Sequence, residues 1–100
     1  MRTVYLVVRE PGKGWIPDKP AAEQPYGLEH GAYLEELFDL GHVLFGGPLV
    51  EAPGKRVMVV VAQSRQAVFD LLARDPWTRV EVVRVVSVHT WQWTLDTAAA

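Results

Sequence analysis

Residues 29–49 read EHGAYLEELFDLGHVLFGGPL, and whether this run is one helix or a helix that gives way to a strand decides the fold. Tyr33, Leu34, Leu37 and Phe38 recur at intervals of three and four, with Glu35, Glu36 and Asp39 outside the stripe, so the first half predicts an amphipathic helix. Pro25 suits its first position, and Gly41 suits the C′ position after its last turn. Past Gly41 the helical period is lost. HVLFGGPLV, 42–50, reads as a strand that Gly46-Gly47-Pro48 closes as a turn.

Working outward, RTVYLVVR at 2–9 is β-branched and aromatic and stops at Glu-Pro-Gly, which predicts a first strand. Between it and the helix, residues 10–25 hold four of the seven prolines and no apolar period. That is a long loop for so short a chain, and a binding loop and plain surface padding fit it equally. Downstream, KRVMVVVAQ at 55–63 predicts a strand paired with its predecessor in a hairpin. Ser64 suits the N-cap of a second helix with Ala67, Val68, Leu71 and Leu72 on its apolar face. Pro76 pushes Asp75 out of the α region, so that helix ends near Arg74. RVEVVRVVSVHTWQW at 79–93 predicts a long last strand.

The order is βαββαβ, an α+β, ferredoxin-like arrangement of an antiparallel sheet with two helices on one face. One domain is expected over residues 1–95, with 96–100 a frayed tail. The last strand is apolar on both sides, with Val80, Val82, Val86 and Val88 on one and Val83, Val85, Trp91 and Trp93 on the other. A sheet with one face in water alternates polar with apolar residues. The second face therefore predicts a cover, most simply a second copy packed sheet to sheet as a homodimer.

Composition narrows the function classes. The chain of 100 residues is 49% apolar and 22% charged with a formal net charge of −2, so it lacks the basic footprint of a nucleic-acid binder. The apolar run VYLVV is too short for a membrane span or a signal core, which predicts a cytoplasmic protein with no membrane partner. With no cysteine there is no disulfide, thiol nucleophile or thiolate metal site. Three histidines without ligand spacing give no metal site, and no nucleotide-binding or nucleophile-elbow motif is present, so no cofactor is expected.

The βαββαβ topology brings the start of the first helix, the end of the second, the end of the first strand and the turn after the second to one edge. His30, Asp75, Pro76, Trp77, Gly46, Gly47, Pro48 and the loop with Trp15 become neighbours. A carboxylate beside an imidazole fixes its tautomer, and the ring then takes and returns a proton near neutral pH. The Gly46 and Gly47 amides are candidates to hold an anionic oxygen, with Trp15 and Trp77 as apolar walls. Arg9, at the end of the first strand, is a candidate partner for a substrate carboxylate. Each residue also has a plainer reading. His30 fits a helix boundary, Asp75 a turn former, Gly-Gly-Pro a strand end and the tryptophans core filler. His42 fits a dipole partner at a helix end, and His89 a packing residue.

The segments EHGAYLEEL, GHVLFGGPL and ARDPW, together with GW and EQP ahead of the histidine, resemble the YCII-related family in order and spacing. The resemblance implies a dimeric α+β barrel of two ferredoxin-like protomers. It implies a site pair on His30 and Asp75, and at least one relative eliminates chloride from a chlorinated hydroxymuconate with the histidine moving the proton. The expected function is a small cofactor-free lyase or isomerase acting on a compact anionic or carbonyl metabolite. The alternative is a non-catalytic binding or regulatory module with the same pocket.

Overall fold

The computed structural model describes residues 2–97. Its elements are β1 (Arg2–Pro11), α1 (Gly27–Asp39), β2 (Val43–Pro48), β3 (Arg56–Val60), α2 (Arg65–Ala73), α3 (Pro76–Arg79) and β4 (Val83–Trp93), with a 3-10 turn at Ala21–Glu23. The four strands form one antiparallel sheet in the order β2-β3-β1-β4. This is the expected α+β, ferredoxin-like order.

The helices form where the sequence caps them. Ser64 Oγ accepts the Ala67 amide at 3.1 Å and starts α2. At the end of α1, Gly41 takes φ +80°. Its amide bonds Phe38 O at 3.0 Å while the His42 amide bonds Leu37 O at 2.8 Å, a Schellman closure that needs a residue free to adopt the left-handed region. Leu37 from α1 and Val68 and Leu72 from α2 meet Val7, Met58, Val60 and Val88 of the sheet, so both helices pack on one face. Tyr33 ties them together by donating to Leu71 O at 2.7 Å. Trp77, Val82 and Val83 form a smaller cluster under α3, with Trp15 against it.

Four expectations are corrected. Helix α1 begins at Gly27 behind Tyr26, which has φ +59°, so Pro25 lies before the helix and not in its first position. Gly46, Gly47 and Pro48 belong to β2, paired with Met58, Val57 and Arg56. They do not form a turn: β2 is an edge strand, where a proline's missing N–H disrupts nothing. The chain at 76–82 is helix α3 followed by a loop, so Val80 and Val82 are not strand residues. In β4 the register against β1 slips between Val8 and Arg9, leaving Val86 as an extra residue. The slip puts Val83, Val85 and Val88 on the helix side and Trp91 and Trp93 on the other, which replaces the expected split. Of the expected tail, residues 98–100 lie outside the described ones.

Candidate active site

Three elements converge on one carboxylate. Asp75 ends the α2 segment in an extended conformation and caps α3, with Pro76 behind it as the first helical residue. Its Oδ1 accepts the Trp77 amide at 2.9 Å. His30, in the first turns of α1, places Nδ1 2.8 Å from Oδ1 and 2.9 Å from Oδ2. Arg9, near the end of β1, donates from Nη1 to Oδ2 at 2.7 Å. Asp75 is 0% exposed, Arg9 1% and His30 5%.

Burial alone would raise the Asp75 pKa. The hydrogen bonds from His30 and Arg9 and the charge of Arg9 outweigh it and hold the carboxyl below its ordinary value of 3.8. Asp75 is therefore an anion at neutral pH. As a pure acceptor it receives a hydrogen bond from Nδ1–H, and in the neutral ring this tautomer leaves Nε2 with its lone pair. Nε2 has no hydrogen-bond partner among the described residues. The His30 ring lies flat on the indole of Trp77, with centroids 3.7 Å apart and planes 7° off parallel. Trp77 is fixed by its own indole N–H, which donates to Pro25 O at 2.8 Å.

The long loop is tied to this arrangement. Gln24 is buried, accepts the Ile16 amide at 2.7 Å and donates to Ile16 O and Lys19 O at 2.8 Å each. Trp15, at the head of the clamped segment, meets Trp77 edge-on with centroids 6.0 Å apart. The loop is thus a packed support for the tryptophan under His30.

Beside the dyad, between α1 and the β2–β3 edge, lies a cleft of about 510 Å³. Arg9, Arg56, Gly46, Gly47 and Pro48 line it, with Leu34, Phe38, Phe45 and Met58 as its apolar walls. Arg9 connects it to the dyad. His30 lies one helical turn from Leu34 on the same side of α1 but is not part of the lining. Trp15 and Trp77, expected as walls, do not line the cleft either, because the Trp77 ring is covered by His30 and by Val82 and Val83. Gly46 is a glycine for a packing reason: a Cβ there would sit 2.7 Å from Met58 Cβ and 2.9 Å from Val57 O.

The residue that sequence reasoning missed is Arg56. It stands opposite Arg9 in the β1–β3 register and lies over the Trp77 ring at 5.3 Å. Its signal was available only through pairing: an arginine near the end of β1 and one at the start of β3 fall opposite each other. Burial and the neighbouring Arg9 charge lower its pKa from the ordinary guanidinium value. Among the described residues no three His, Asp or Glu side chains gather in a way that would hold a metal ion. None of their helices is long and apolar enough to cross a membrane.

Residues 1–92 match the family described as YCII-related domain. No curated protein matches the chain. Among solved structures, it is similar to 5-chloro-2-hydroxyhydroquinone dehydrochlorinase from Burkholderia phenoliruptrix AC1100, in complex with 2,5-dihydroxybenzoquinone. The TM-score is 0.65 at 18% identity over 95% of this chain and 97% of that one, a likeness of fold.

Proposed function

The chain belongs to the YCII-related family, and on that premise we propose that it is a small proton-transfer enzyme, a lyase or isomerase, acting on a compact anionic or carbonyl metabolite. His30 is the general acid/base through Nε2, and Asp75 sets its tautomer and stabilises the imidazolium formed when the ring takes a proton. The observation that carries this reading is the 2.8 Å contact from His30 Nδ1 to an ionised, buried carboxylate, with Nε2 unbonded. The solved relative is a dehydrochlorinase, and loss of HCl is of the same class, since it removes a proton and a leaving group from one substrate. The Gly46 and Gly47 backbone, in the cleft wall, is the proposed contact for a substrate oxygen.

Two measurements test the reading. Nitrogen-15 spectra of the His30 ring at mildly alkaline pH are expected to place the proton on Nδ1, and Asp75→Asn is expected to remove that preference. Incubation in D2O with a panel of enolisable keto acids and β-halo acids is expected to give deuterium exchange or halide release. His30→Gln should slow it by about 10²- to 10⁴-fold. A panel without turnover, or turnover indifferent to His30→Gln, would refute the assignment.

A non-catalytic binding module is favoured by one observation, that His30 does not line the cleft. It would keep ligand binding in His30→Gln and turn over nothing. For the sheet face opposite the helices we propose a second copy of this chain as cover. Phe45 and Trp91 are exposed there and form an aromatic group with Trp93.

A further inference from the structure

The cleft beside the dyad carries more cationic hydrogen-bonding capacity than the fold uses. Arg9 spends Nη1 on Asp75, while its Nε and Nη2 are enclosed and have no partner. Those two atoms are the side-on fork of a guanidinium, spaced to match the two oxygens of a carboxylate. Arg56 stands next to it, half-buried. Its guanidinium rests on the Trp77 ring with no hydrogen-bond acceptor among the described residues.

Like charges directly opposite on adjacent strands repel, and Arg9 and Arg56 stand opposite each other while the buried carboxylate of Asp75 pairs with Arg9 and not with Arg56. Glu35 also lines the cleft, but its side chain is exposed and pairs with neither arginine. The buried part of the site therefore lacks one negative charge.

We propose that this cleft is the subsite for a carboxylate of the substrate, gripped between Arg9 and Arg56, with the apolar remainder of the molecule against Leu34, Phe38 and Met58. This deepens and rests on the proton-transfer reading: the substrate class is a carboxylic acid with a flat or compact apolar body, and neutral carbonyl compounds are excluded. The fork of Arg9 is closed to water, so a carboxylate reaches it only when a neighbouring side chain moves, and Arg56, which makes no hydrogen bond among the described residues, is the side chain proposed to move. An indole face holds that side chain more loosely than a hydrogen-bonded carboxylate would.

The test uses benzoate and its neutral isostere benzamide in isothermal titration calorimetry with the whole protein. Benzoate is expected to bind saturably and benzamide roughly 10- to 100-fold more weakly, the span of one charge-assisted pair. Arg56→Gln should weaken benzoate by about the same factor, and Arg56→Lys less, since it keeps the charge without the fork. Equal binding of the two probes, no saturable benzoate binding, or affinity unchanged in Arg56→Gln would overturn the subsite. Should Arg56→Gln not fold, Arg56→Lys and the comparison of probes on the unmodified chain decide. His30→Gln keeps both guanidinium groups and is expected to keep benzoate binding. Discrimination without any turnover would thus sink the proton-transfer reading and leave the subsite standing, whereas turnover without discrimination overturns the subsite alone.

Discussion

Asp75 carries two duties that sequence reasoning treated as rivals. The carboxylate of an Asp-Pro step was open to reading as a local turn former or as the partner of a distant histidine. It is both, with Oδ1 taking the Trp77 amide and the His30 ring together. Removing it leaves Arg9 buried without its anion, so Asp75→Ala is expected to cost about 3–5 kcal/mol in urea unfolding at neutral pH. Because the folded-state pKa lies below the ordinary 3.8, the carboxylate's contribution is fully present above that value. It is lost as the pH falls through the lower folded-state value. Asp75→Asn is expected to be less stable at neutral pH and to lack that portion of the acid loss, which urea midpoints followed from neutral to strongly acid pH would reveal.

At the scale of elements, Gly46 and Gly47 separate cleanly. Gly46→Ala forces β2 away from β3 and is expected to lower stability by about 1–3 kcal/mol. Gly47, whose Cβ would meet nothing within 4 Å, is expected to accept Ala within about 0.5 kcal/mol. Denaturant melts of the two variants check the pair. The same elements mark how far the sequence could be read. The βαββαβ order was legible because Leu34, Leu37, Val68 and Leu72 keep a helical period and because Ser64 and Gly41 are strong local signals. Helix α3 was not, since four residues hold no period and Pro76 reads equally as a stop and a start. The Gly-Gly-Pro strand end was misread for a related cause: these residues punctuate most chains, and only the sheet order reveals that β2 is an edge. The Val86 bulge is a property of two strands together, invisible in either alone. At the site, His30, Asp75 and Arg9 were legible through topology. Arg56 was hidden because its meaning depends on the register that places it opposite Arg9.

For the whole molecule, the sheet divides two kinds of surface. Its helix side holds the dyad and the cationic cleft. Its other side holds Leu6 opposite Val59 and Val4 opposite Trp91, with Phe45 opposite Val59 on the β2 edge. The proposed second copy makes a direct prediction at this scale. Sedimentation velocity at micromolar concentration is expected to give twice the chain mass, and Trp91→Asp is expected to shift it toward the monomer; a monomer without substitution would rule the pairing out. The division also sorts the four tryptophans into two pairs, Trp15 with Trp77 behind the dyad and Trp91 with Trp93 across the sheet. The indole of Trp77 lies against an imidazole, and a protonated imidazole drains the excited state of a stacked indole. Emission from one pair therefore dims when His30 gains a charge, while emission from the other shifts in colour when its surface is covered. In variants that keep one pair at a time, the two emissions therefore report on the two sides of the sheet separately.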